Sequence, residues 1–180
     1  MKSTCVIVVC LSLRLPALAD AQEMGAVRAL DSPAAEALAC GQRHSQMFRD
    51  LVAEIDGSGV IVHVVTGDTT LFGMARTTRL AGVVGGWRYP RVVLRTHLPT
   101  DERASVLAHE LHHVFEIARS SAATQQEVRA LYDDIGRPVP GGHDAFETAD
   151  AADAGLRVWR ELRSTERQAR RQTAALQHQR

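Results

Sequence analysis

The chain has 180 residues, with 21 basic and 21 acidic side chains and no net formal charge. That length suffices for one domain with a core of its own, and the charge balance gives no sign of a nucleic-acid footprint or a polybasic membrane patch. Lys2 is the only lysine, so nearly all positive charge is arginine, which together with the many alanines reflects coding bias rather than function.

The N-terminus reads as an export signal. Met1 to Thr4 carry one positive charge, Cys5 to Leu13 are apolar, and Ala17-Leu18-Ala19 and Ala19-Asp20-Ala21 both fit a small-x-small cleavage site. The apolar run is far shorter than the ~20 residues of a membrane span. Residues 1–21 are therefore expected to be a signal peptide and 22–165 a single domain, in the periplasm or outside the cell. Residues 166–180 are expected to be a polar tail, a helix extension that frays into disorder. Cys5 and Cys10 would leave with the signal. The remaining Cys40 cannot form an internal disulfide and reads as a small core residue.

Residues 22–32 read as a flexible lead-in. Ser32 and Pro33 suit an N-cap and first helical position, and Gly41 is placed to break or kink the helix. Met47, Leu51, Val52 and Ile55 recur at helical spacing, and Asp56-Gly-Ser-Gly59 ends that helix. The β-branched run Val60 to Val65 is a buried strand. His63 within it reads as a half-buried strand histidine, and Thr70 to Ala75 as a short strand or a loop over the site. Gly85-Gly86 between two strand-like runs predicts a tight hairpin. Pro90 in the second run implies an edge strand or a bulge.

Thr100 is the predicted N-cap of the central helix, which should run to about Arg119. Leu107, Leu111, Val114 and Ala118 form one stripe along it. His109, His113 and Glu116 form a second, flanked by Val106 and Ile117, so that side is not a solvated face. A short helix over 127–132 and a Gly/Pro loop over 136–142 follow. A last helix from about Asp144 to Arg163 should turn Ala145, Ala149, Ala152, Leu156 and Trp159 inward.

His109-Glu110-Leu111-His112-His113 matches H-E-x-x-H. Residues four apart on a helix share a face, so His109 and His113 can offer two imidazoles to one metal ion. Glu110 lies on the flank of that face and can take a proton from a water that the metal activates. A catalytic zinc site uses three protein ligands, and the third is open. Glu116 would require one straight helix to span about 10 Å, so it fits better as a carboxylate bonded to a ligand histidine. Glu127 lies in a short helix with no special context. Glu147, on a predicted helix after a reversing loop, is preferred; His143 and Asp144 are the next candidates. His112 falls between the ligand stripe and solvent and reads as a supporting or exposed residue. Asp150 could also support the site, whereas Asp153 reads as a surface acid.

On these residues the chain resembles the zincin metallopeptidases, and with a downstream glutamate it is similar to their gluzincin branch. Ala108 to Ala118 with Phe146-Glu-Thr148 resembles a group of short, uncharacterised bacterial secreted metallopeptidases, whose pattern extends through His44 to Phe48 and Gly85 to Tyr89. The resemblance implies an α+β fold: a minimal zincin-like domain with a small, mostly antiparallel sheet, an active-site helix and a C-terminal ligand-bearing helix. It implies Zn2+ and a peptide or protein substrate, with the edge strand lining the cleft. Neither the metzincin extension nor the thermolysin-like N-E-x-x-S-D pattern is present, and Tyr89, Tyr132 and His143 are the candidates for stabilising an oxyanion. The expectation is an exported zinc peptidase with Glu110 as general base; the alternative is a metal-binding or protein-binding module without turnover.

Overall fold

A computed structural model describes residues 25–67, 75–140 and 145–177. The expectations for residues 1–21, for residues 70–74 and for His143 and Asp144 fall outside that range. Strand β1 (Val27–Ala29) leads into helices α1 (Ser32–His44) and α2 (Gln46–Asp56), then strands β2 (Val62–Gly67), β3 (Ala75–Val84) and β4 (Trp87–Arg95). Helices α3 (Thr100–Arg119) and α4 (Gln125–Ile135) follow, then the two-residue strands β5 (Arg137–Pro138) and β6 (Phe146–Glu147), and the long helix α5 (Ala149–Gln177). The class is α+β. Helix α5 continues well past Arg163, to Gln177.

The main sheet has the order β1-β2-β4-β3. It is mixed, not mostly antiparallel: β1–β2 and β2–β4 are parallel, and only β3–β4 is antiparallel. The α1–α2 pair is the crossover that makes β1 and β2 parallel. Residues near Val27 are thus a strand and not a lead-in, because a distant partner supplies their hydrogen bonds.

Pro90 lies in a central strand, not an edge. It pairs with Leu80 beside a register shift in β3, and its missing N–H falls where the β2–β4 ladder is interrupted. The edge on that side is β3. Gly85 and Gly86 both have positive φ, 58° and 83°, as the two-residue turn between Val84 and Trp87 requires.

Two caps differ from expectation by a residue. Asp31, not Ser32, caps α1 by accepting from the Ala34 N–H. Pro99 precedes α3 with no side-chain cap, and Thr100 is already helical. Gly41 does not break α1; it admits the Phe48 ring, which a Cβ would meet at 2.5 Å. The break comes at Ser45, which ends α1 and caps α2 through Phe48 N–H.

Helix α3 lies against the sheet with Leu107, Leu111 and Val114 fully buried. Each such side chain contributes about 1.5–3 kcal/mol as an upper estimate, and a missing cap costs about 1 kcal/mol; packing therefore holds the helix. Its C-terminal end is fixed by Arg88 of β4, whose guanidinium donates to the carbonyls of Ile117, Ala118, Ser120 and Ala122. Buried Arg103 ties its start to Pro33, Thr96 and Leu98.

Helix α5 packs on α3 by a different stripe from the one expected. Ala151, Ala154, Val158 and Leu162 are buried, whereas Leu156 and Trp159 are exposed. The close approach of the helices selects small residues. A Cβ at Gly155 would stand 3.1 Å from His109 Cβ and 3.3 Å from the Ser105 carbonyl oxygen.

Candidate metal centre

The centre forms where α3 faces the segment entering α5. His109 and His113 project from α3 with ring centroids 4.9 Å apart at 80°. Glu147 comes from β6, not from a helix as expected. Its position is set by pairing with Arg137 across the β5–β6 ladder. One nitrogen from each histidine and one Glu147 oxygen lie within 4.8 Å of one another, so the three could hold a metal ion. Glu147 Oε2 is 3.4 Å from His109 Nε2, and Oε1 is 3.9 Å from His113 Nε2. Donors about 2.0–2.2 Å from a tetrahedral ion stand about 3.4 Å apart, so the set fits such a group with modest adjustment.

Behind the ligand-type atoms lies a supporting layer. Glu116 Oε2 is 2.9 Å from His113 Nδ1, and Glu116 Oε1 accepts from the Thr148 hydroxyl at 2.6 Å. With Nδ1–H donating to Glu116, the other ring nitrogen keeps its lone pair for the shared point. The Tyr132 ring stands against His113, and its hydroxyl donates to the His113 carbonyl at 3.0 Å. Ser105 donates to the Gly155 carbonyl, holding α5 beside His109.

Burial, then the adjacent His113, pulls the His109 pKa from 6.5 down to about 4, so the imidazole is neutral and able to bind metal at ordinary pH. Burial also lowers His112. For His113 burial acts downward, but the Glu116 hydrogen bond and the charges of Glu110, Glu116 and Glu147 outweigh it and the pKa is raised. Glu116 is the reverse case: burial acts upward, and the bonds from His113 and Thr148 hold it low and ionised. Burial raises Glu147. Tyr132 is pushed up by burial and by the Glu116 charge.

Among the other singled-out residues, Glu110 is buried on α3 and its charge is felt by His113 and Tyr132. His112 packs on Phe115, with Nε2 3.8 Å from Glu116 Oε1. Asp150 is exposed in the first turn of α5, where its charge acts on His112. Glu127 forms a capping box with Thr124 at the start of α4 and is thereby occupied. His63 is half-buried in β2 beside Tyr89, and Cys40 packs against the main core.

Sequence reasoning gave no role to Thr148 or Gly155. A threonine followed by Ala149-Asp150 has the form of an N-cap with an acidic first turn. A lone glycine inside a helical pattern signals a close approach.

Comparison with protein-family models, with curated proteins and with solved structures finds no match for this chain. Among the described residues, no helix is long and apolar enough to cross a membrane.

Proposed function

We propose that the protein is an exported, zinc-dependent peptidase of zincin type that hydrolyses peptide bonds of peptides or cell-envelope proteins. The observation that carries this reading is the convergence of His109, His113 and Glu147 on one point, with Glu110 buried on the same helix. Two imidazoles and one carboxylate are the donor set of a catalytic zinc with an open position. A zinc ion held there would polarise a peptide carbonyl and acidify a water.

The chain's own groups supply the rest. Glu110 takes the proton of the attacking water and passes it to the leaving amine. Glu116 fixes the tautomer of His113 through Nδ1. The ordered charged, apolar and small-residue stretches of residues 1–21 support export.

A second reading, a metal-binding module without turnover, draws on Tyr132. Its hydroxyl donates to the His113 carbonyl at 3.0 Å, so it is already occupied. Glu110→Gln separates the two. On the peptidase reading this variant keeps its zinc and loses about 10²–10⁴-fold in the rate of cleaving a quenched-fluorescent peptide mixture. A variant as active as wild type would refute the mechanism. Zinc uptake by wild type without cleavage of any peptide would favour the second reading.

A further inference from the structure

We infer that Thr148 is a positioning residue that locks Glu147 to helix α3, and so sets the geometry of the metal centre. The inference rests on reading His109, His113 and Glu147 as a metal site. Thr148 is buried, follows Glu147 directly, and makes four hydrogen bonds at once. Its hydroxyl donates to Glu116 Oε1 at 2.6 Å. Its backbone N–H donates to Glu147 Oε1 at 3.0 Å. Its Oγ1 accepts from Ala151 N–H at 3.2 Å, and its carbonyl accepts from Ala152 N–H, as an N-cap of α5 does.

Glu116 bonds His113 with its other oxygen. The result is a hydrogen-bonded chain from His113 through Glu116 and Thr148 to Glu147, whose Oε1 comes to 3.9 Å from His113 Nε2. It joins two ligand-type residues from elements far apart in sequence. His109 and His113 are already held in register by α3. Glu147 has only a two-residue strand on one side and the start of α5 on the other. The Thr148 hydroxyl is the side-chain link that carries the rigidity of α3 to that segment. The N–H bond to Oε1 also fixes the rotation of the Glu147 carboxylate, leaving Oε2 toward His109.

The test is Zn2+ affinity, measured by competition with a chromophoric chelator, alongside the melting temperature of the metal-free protein. Thr148→Val should lower Zn2+ affinity about 10–100-fold, and Thr148→Ser should restore it. Thr148→Ala is the second variant, for the case that valine does not fold. Ser45→Ala removes the cap of α2 instead; it should lower the melting temperature and leave Zn2+ affinity unchanged. In a Glu116→Ala background, removing the Thr148 hydroxyl should have little further effect, because the chain of hydrogen bonds is already broken at Glu116. Wild-type Zn2+ affinity in Thr148→Val or Thr148→Ala would overturn the inference alone. So would equal loss in Ser45→Ala, which would reduce Thr148 to a helix cap. No Zn2+ uptake by the wild type would sink the metal-site reading and this inference with it.

Discussion

The two oxygens of Glu116 have separate tasks, one on His113 Nδ1 and one on the Thr148 hydroxyl. Glu116→Ala should therefore weaken Zn2+ binding about 10–100-fold without removing a ligand, readable by chelator competition. The pair His109 and His113 was legible in the sequence because its geometry is local: four residues on a helix fix it. Glu147 was legible by residue type and by its place after a reversing loop, but not by element. A two-residue ladder between Arg137–Pro138 and Phe146–Glu147 leaves no periodic trace. Asp31 carries a prediction of its own. It accepts from Ala34 N–H, Thr66 N–H and the Thr66 hydroxyl, tying α1 to β2. Burial acts upward on its pKa, but the bonds from Thr66 and Ala34 outweigh it and hold the pKa below 3.8. The ionised form is thus favoured in the fold, so its contribution is present above about pH 3.9 and is lost as pH falls through the lower folded value. Urea unfolding of wild type and Asp31→Asn should differ at neutral pH and converge in acid.

Helix packing leaves two positions where added volume decides the outcome. Gly41→Ala would improve intrinsic helix propensity by about 1 kcal/mol, but its Cβ would meet three carbons of the fully buried Phe48 ring at 2.5–2.6 Å. Overpacking of that kind costs about 1–3 kcal/mol, so a net loss of stability is expected in denaturant titration. Gly155→Val should also destabilise by about 1–3 kcal/mol. Unlike Gly41→Ala it should weaken Zn2+ binding too, because the clash falls on His109 Cβ and the Ser105 carbonyl. The helices themselves were legible from apolar periodicity. The inward face of α5 was not, because a tight interface prefers Ala151, Ala154 and Gly155 to the larger Leu156 and Trp159 that a hydrophobicity pattern selects.

Across the molecule, the sheet was the least legible part. Its parallel pairs join β1 to β2 across two helices and β2 to β4 across a strand, and no local residue pattern encodes such partners. Pro90 illustrates the point: its missing N–H is tolerated in a central strand because the ladder breaks there. That sheet and the α3–α5 contact bring the motif on α3 to a carboxylate from the segment before α5. A bound ion would cross-link these two parts, so it should stabilise the fold by about 2.7 kcal/mol at a free Zn2+ concentration one hundred times Kd. Adding a chelator should reverse the corresponding rise in melting temperature. The metal centre is tested by the number of zinc ions bound per chain, measured by equilibrium dialysis and metal analysis. One ion is expected for the wild type, with loss of that ion in His113→Ala and in Glu147→Ala. No zinc in the wild type, or full retention in His113→Ala, would contradict the metal centre.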